Sequence, residues 1–222
     1  MYLPGQNRLV IRRPAWLIGV LTLLLAIGCS DKDTKPQLSQ ADTDGSAPLV
    51  KVSRDQRPRA WLDDGQPHDH IHAAFGVYIC DHFLKPVTDR HADELGIHTH
   101  GEGIIHIHPF SNDAAGPNAR LRVFFADTDI RVRGGDLQVP GTRARSGTTR
   151  CDGKPAQLEL AYWADGEHAA AHQPDKVITR SIWDAPLNRD LAAYTLAFVP
   201  KGTKVPPPPA AKTVRELGTA DK

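Results

Sequence analysis

The segment GIHTHGEGIIHIHPF, residues 96–110, constrains the fold more strongly than any other part of this 222-residue chain. Histidine occupies alternate positions on both sides of a Gly-Glu-Gly triplet, and isoleucine fills most of the positions between them. Because alternate residues of a β-strand face the same side of a sheet, each His-x-His pair should share one face. The pattern therefore predicts a β-hairpin whose turn lies at residues 101–103.

The length of that turn decides whether both pairs share the same face. The two glycines around Glu102 favour a three-residue loop, which needs a residue with positive φ. In that register His98 lies opposite His106, and directly opposite residues lie on the same side of the sheet. A two- or four-residue loop would instead place the second pair on the other side. We expect one histidine face, made of His98, His100, His106 and His108, and one apolar face, made of Ile97, Thr99, Ile105 and Ile107.

A face crowded with imidazoles is typical of a transition-metal site, because neutral imidazole is a preferred ligand for Zn²⁺ and Cu²⁺. Side chains on adjacent strands are close enough to converge on one ion. A second cluster, HDHIH at residues 68–72, enters a predicted strand and can add ligands. We predict His98, His100 and His106 as the direct ligands, with a fourth ligand or supporting contacts from His108, His70 and His72. Imidazoles alone do not choose between zinc and copper.

The same spacing also fits polar residues that are hydrogen-bonded to neighbours and water on a solvated sheet face. Four further histidines stand in loop-like contexts and are expected to be ordinary surface residues: His82, His91, His168 and His172. Glu102 is expected to shape the turn and to point away from the histidine face, because it lies at the tip of the loop.

Residues 1–29 have the character of a secretory signal. Basic residues precede a short apolar run that ends in LAIGC. That ending resembles a bacterial lipoprotein signal, in which Cys29 would be lipid-modified and anchor the protein to the membrane. An uncleaved membrane anchor with an incidental cysteine is the alternative. Either interpretation predicts an extracytoplasmic protein of the cell envelope.

The remaining cysteines, Cys80 and Cys151, form an even pair in an oxidising compartment, which predicts a disulfide. The alternative is that Cys80 is a thiolate ligand beside the histidines.

The rest of the chain predicts a single α+β domain, mostly antiparallel sheet with one or two short helices, over residues 51–200. Residues 30–50 are polar and should form a flexible stalk, and residues 201–222, which contain four consecutive prolines, should form a disordered tail. Strands are predicted at residues 71–79, 97–100, 104–108, 157–163 and 194–199, with a weaker strand at 130–134. Residues 118–127 fit both a strand and a short helix capped by Asn118, and we favour the helix.

The pieces DHIHAAFGVYIC (69–80) and GIHTHGEGIIHIHPF (96–110) resemble an uncharacterised family of bacterial membrane-anchored, histidine-rich proteins. Its members carry a D-H-x-H-A-A-x-G segment followed by G-I-H-T-H-G-x-G-x-I-H-I-H-P-F, and the ending AFVPKGT resembles the family's last strand. The resemblance implies that the six histidines named above correspond to those of the family, but it implies no reaction. A cupin is disfavoured, because Glu102 follows His100 too closely for the cupin pattern.

Three functions follow from these patterns. The first is a membrane-anchored lipoprotein that binds a transition metal; the second is a metal-dependent enzyme with three histidine ligands; the third is a metal-free envelope module that binds a partner protein. Nucleic-acid binding is disfavoured, because 27 Lys and Arg residues nearly balance 26 Asp and Glu residues. Neither a Ser-His-Asp signature nor a phosphate-binding loop is evident.

Overall fold

The computed structural model describes residues 60–61, 67–68 and 70–219. The predicted signal segment at 1–29, including Cys29, and the predicted stalk at 30–50 lie outside the described residues. Within the described part of the chain, no helix combines the length and the apolar character needed to cross a membrane.

Short strands are the main regular secondary structure of the described chain. In chain order they are β1 Ala60–Trp61, β2 Pro67–His68, β3 Ile71–Ile79, β4 His82–Phe83, β5 Ile97–His98, β6 Ile104–Ile107, β7 Arg131–Arg133, β8 Asp136–Val139, β9 Thr142–Ala144, β10 Arg150–Cys151, β11 Lys154–Trp163, β12 Lys176–Ile178 and β13 Ala192–Pro200. The two α-helices are α1 Leu121–Asp127 and α2 Val214–Thr219. Four 3₁₀ segments accompany them: Gly116–Asn118, Ala169–Ala171, Ile182–Asp184 and Pro209–Thr213.

The main sheet has the strand order β10-β11-β13-β3-β6-β5, with β12 beside β11 and β4 beside β3. All of its pairs are antiparallel except β13 with β3. Strands β7, β8 and β9 form a separate antiparallel sheet. The predicted α+β domain with two short helices is thus present, but its main sheet is mixed and not wholly antiparallel.

The apolar face of the main sheet packs against α1. Phe75 of β3 contacts Phe124, with 5.1 Å between the ring centroids, and Ile105 and Ile107 of β6 are fully buried in the same core. The predicted helix at 118–127 is confirmed, although its start differs. Arg120 occupies the N-cap position, and its side chain makes no capping hydrogen bond. Asn118 is buried before the helix and donates to the carbonyl oxygen of Asn112 at 2.8 Å, so it does not cap the helix.

The proline-rich segment after β13 is packed onto the sheet, and the prediction of a disordered tail from residue 201 is wrong up to residue 218. Val205, Ala211 and Val214 are buried with Ala74 and Ile104, on the face opposite α1. Thr195 donates its hydroxyl to the carbonyl oxygen of Pro206 at 2.8 Å. Consecutive prolines have little conformational freedom to lose on folding, so a few apolar contacts can hold this segment in place.

The predicted disulfide between Cys80 and Cys151 is confirmed, and it excludes Cys80 as a thiolate ligand. The two residues are 71 positions apart in sequence, and Cys151 is buried in the core. The bridge joins the turn after β3 to the last residue of β10. Strands β11 and β13 lie between β10 and β3 in the sheet, so the bridge spans four neighbouring strands.

We expect the double substitution Cys80→Ser with Cys151→Ser to lower the free energy of unfolding by about 4 kcal/mol, because a cross-link of this span restricts the unfolded chain strongly. Guanidinium denaturation of the full chain in detergent measures the loss. Cys29→Ser leaves the bridge intact and is the matched control. An unchanged denaturation midpoint in the double variant would contradict a structural role for the bridge.

Candidate metal centre

Three adjacent strands bring three histidines into one row across the sheet. His72 of β3 pairs with His106 of β6, and His106 also pairs with His98 of β5. The register His98 opposite His106 is the one predicted for a three-residue turn. All three side chains are buried, with exposed fractions of 7%, 1% and 8% for His72, His106 and His98.

The other three histidines border this row. His70 and His108 are half-buried, with 4.9 Å between their ring centroids, and His108 also lies 4.7 Å from His98. The exposed His100 stacks on His106 at 4.6 Å. The single histidine face is therefore confirmed, with Ile97, Ile105 and Ile107 buried on the opposite side.

Metal-ligating atoms within this cluster fall into three groups, each with its donors within 4.8 Å of one another. The predicted trio of His98, His100 and His106 is not one of them. His100 and His106 share one group, whereas His98 belongs to another, although its Nε2 lies 3.1 Å from Nε2 of His100. The groups are His70–His72–His106, Asp93–His98–His108 and His100–Glu102–His106.

Glu102 faces the histidines, and the expectation that it points away from them is wrong. Its Oε1 lies 2.6 Å from Nε2 of His106. Gly101 and Gly103 adopt φ values of +89° and +86°, which curl the loop tip back over the sheet. A bulky residue at either glycine would resist this backbone conformation.

Asp93 is a site residue that the sequence did not indicate, because it lies in the irregular segment before β5. Its Oδ1 accepts a hydrogen bond from the backbone N–H of Gly96 at 2.6 Å, and its Oδ2 lies 2.7 Å from Nδ1 of His98. An aspartate three residues before a glycine is typical of a turn, and that turn pattern was the only signal available.

The electrostatics of the site favour a positive charge at His98. Burial opposes the charged imidazolium, but the hydrogen bond and charge of Asp93, together with the charge of Asp89, outweigh it and raise the pKa of His98 above its ordinary value. Burial and the adjacent His98 instead lower the pKa of His108, and Asp93 only partly opposes this. The pKa of Asp93 itself lies below its usual range, because the His98 and Gly96 contacts outweigh its burial.

Asp89 and Asp127 form a carboxyl pair behind His98. Asp89 accepts a hydrogen bond from the backbone N–H of Thr99 at 2.9 Å, which fixes its position. Burial, together with the hydrogen bond and charge of Asp89, raises the pKa of Asp127 to about 8. Asp127 therefore keeps its proton at neutral pH, and the pair presents less negative charge than two free carboxylates would.

The C-terminal helix covers part of the cluster. Gly218 of α2 lies directly on His72, and a Cβ atom at position 218 would come within 2.5 Å of the imidazole ring. Arg215 anchors the helix through hydrogen bonds to both carboxylate oxygens of Glu167, the shortest 2.7 Å long. The inner histidines are thus enclosed by the sheet below and by α2 above.

The four histidines that were expected at the surface are exposed, as predicted. His82, His91 and His168 are exposed and lie beside Asp81, Asp129 and Asp165 respectively. His172 is also exposed.

The combination of imidazole nitrogens and a few carboxylate oxygens suits borderline divalent ions such as Zn²⁺ and Cu²⁺. Neither protein-family models, nor curated proteins, nor solved structures show a match to this chain. The function of the histidine cluster is therefore inferred from its own geometry and chemistry.

We expect Asp127→Asn to flatten the dependence of stability on pH in the metal-free protein. The folded state holds the Asp127 proton up to pH about 8, whereas the unfolded chain releases it near 3.8, so wild-type stability falls as the pH rises between these values. An asparagine mimics the protonated carboxyl and removes this loss. Urea denaturation at pH 5, 6.5 and 8 in the presence of a chelator measures the effect. The exposed Asp113→Asn is the control, and a parallel pH dependence of wild type and Asp127→Asn would contradict the assignment.

Proposed function

We propose that this protein is a membrane-anchored lipoprotein of the cell envelope that binds a transition-metal ion, zinc or copper, through its histidine cluster. The observation that carries the proposal is the enclosed trio of His70, His72 and His106, whose donor nitrogens lie within 4.8 Å of one another. Burying imidazoles together is costly for a fold unless their polar atoms are satisfied. A bound cation would coordinate one nitrogen from each of the three rings at once.

The electrostatics of the cluster support cation binding. Close imidazoles cannot all be protonated together, and the pKa of His108 is lowered by burial and by the neighbouring imidazoles of His98 and His106. Neutral imidazoles offer lone pairs to a metal ion, so the crowding that disfavours protons favours ligation.

The location rests on the character of residues 1–29 and agrees with the disulfide. Disulfides persist in oxidising compartments and are rare in the cytosol. The Cys80–Cys151 bridge therefore fits an extracytoplasmic domain.

A metal-dependent enzyme is the second candidate function, and one observation favours it. Oε2 of Glu102 is buried without a hydrogen-bond partner, while Oε1 contacts His106 and the exposed His100 stands beside them. A carboxylate near a solvent-facing ligand is the arrangement in which a metal-bound water can lose a proton. Turnover of ester or phosphoester substrates by the zinc-loaded protein, lost in Glu102→Gln with zinc still bound, would favour the enzyme over a binding protein.

Loss of a group that only hydrogen-bonds to a metal ligand typically lowers metal affinity by about 10–100-fold. We therefore expect His72→Ala, which removes a ligand itself, to weaken zinc and copper binding at this site by at least about 100-fold. His70→Ala, at a half-buried position, should weaken binding in the same direction with less disturbance of the core. Competition with a chromophoric chelator measures the affinity of the full chain, prepared without a histidine tag.

The control for these variants is His168→Ala, which removes an exposed imidazole that lies outside the cluster. Its affinity should equal that of the wild type. If the wild-type protein binds neither zinc nor copper above the level of a surface histidine, the metal proposal is wrong and the interaction module becomes the better hypothesis.

We expect Cys29→Ser to release the protein from the membrane fraction if Cys29 carries the lipid anchor. Fractionation of bacteria that express the full chain, with mass spectrometry of the mature N-terminus, measures the change. A variant that stays membrane-bound and keeps residues 1–28 would instead show an uncleaved anchor.

A further inference from the structure

We infer that the histidine cluster is a two-ion centre, with a second metal site at Asp93, His98 and His108 beside the site at His70, His72 and His106. This inference rests on the proposed metal-binding function and deepens it. The two donor groups have no residue in common, so filling one leaves all the ligands of the other in place.

A single ion cannot serve both groups in this arrangement. Two ligands of one zinc ion, each about 2.0–2.1 Å from the metal, lie at most about 4.2 Å apart. Among the described residues, no group of three donor atoms that mixes the two trios lies within 4.8 Å of one another. The trios nevertheless adjoin, since the rings of His70 and His108 are 4.9 Å apart.

The backbone of Gly96 preorganises the second site. Its N–H donates to Asp93, and its carbonyl oxygen accepts the backbone N–H of His108 at 2.8 Å. The backbone of one residue thus positions two of the three ligands relative to each other. Gly96 has a φ of +79°, and a Cβ atom there would collide with the carbonyl oxygen of His108, so only glycine fits. A rigid set of ligands binds an ion without a large cost in ordering.

The third donor group does not add a third ion. It shares His106 with the first site, and Glu102 already contacts Nε2 of that ring at 2.6 Å. Filling this group and the first site together would require His106 to lose both ring protons and bridge two ions, so the two groups are alternatives.

The two sites differ in chemistry. The first offers three imidazoles and is enclosed by α2, which suits zinc or copper. The second offers two imidazoles and the carboxylate of Asp93, with the Asp89–Asp127 pair close behind, and it opens toward the exposed Phe110. The additional negative charge around the second site and the carboxylate oxygen of Asp93 favour a divalent ion. A soft monovalent ion gains little binding energy from either feature.

The test is the metal content of the full chain in detergent after loading with Zn²⁺ and removal of free ions. The wild type should retain two equivalents per chain. His108→Ala and Asp93→Asn should each lose the ion of the second site and retain one equivalent. His72→Ala should lose the ion of the first site and also retain one equivalent. The double variant His72→Ala with His108→Ala should therefore retain none. His91→Ala, an exposed histidine beside Asp129, is the matched control and should retain two.

One equivalent in the wild type would overturn the inference and leave the proposed function standing, whereas zero equivalents would remove the proposed function as well. Loss of all metal in either single variant would show one shared site, and two equivalents retained in both His108→Ala and Asp93→Asn would show that the second ion lies elsewhere.

A measurement on the wild type avoids any dependence on how the variants fold. With two equivalents of Cu²⁺, ions in adjoining sites should give an electron paramagnetic resonance spectrum broadened by dipolar coupling, with a half-field signal. A spectrum of isolated Cu²⁺ ions at the same loading would overturn the inference.

Discussion

The pairing of β6 with both of its neighbours is the constraint on which the rest of the structure depends. β6 lies between β3 and β5, so His106 stands between His72 and His98 in one row. A slip of either pair by one residue would turn its histidines into the apolar core and its isoleucines toward α2. The turn glycines and the burial of Ile105 and Ile107 together oppose such a slip.

This register gives the main sheet two faces that differ in composition. One face is apolar and packs on α1, where Phe75 meets Phe124, and it supplies most of the burial that stabilises the domain. The other face carries the histidines at one end and small apolar residues such as Ala74 at the other, under the C-terminal segment. Three histidines of the cluster, His72, His98 and His106, are therefore held on paired strands.

Much of this arrangement could be predicted from local patterns, because alternation and turn chemistry act over a few residues. The hairpin register, the histidine face, the helix at 121–127 and the disulfide all follow from such patterns. The pairing of β13 with β3 could not be predicted, since parallel strands are joined through a long connection whose path leaves no local mark. The packing of the proline-rich segment was missed for a similar reason, because its few apolar residues find partners only on a distant sheet face.

The amino-acid sequence alone determined which histidines within each His-x-His pair share a face, because the side chains of a strand alternate with a period of two, and its glycine-flanked turn favoured the register that puts both pairs on one face. Only the tertiary structure decided how those histidines are grouped. Asp93 reaches His98 because an irregular segment folds beside β5, Glu102 reaches His106 because the turn curls back, and α2 covers His72 from the far end of the chain. Contacts of this kind depend on where separate segments meet in space, and side-chain periodicity along one strand carries no information about that.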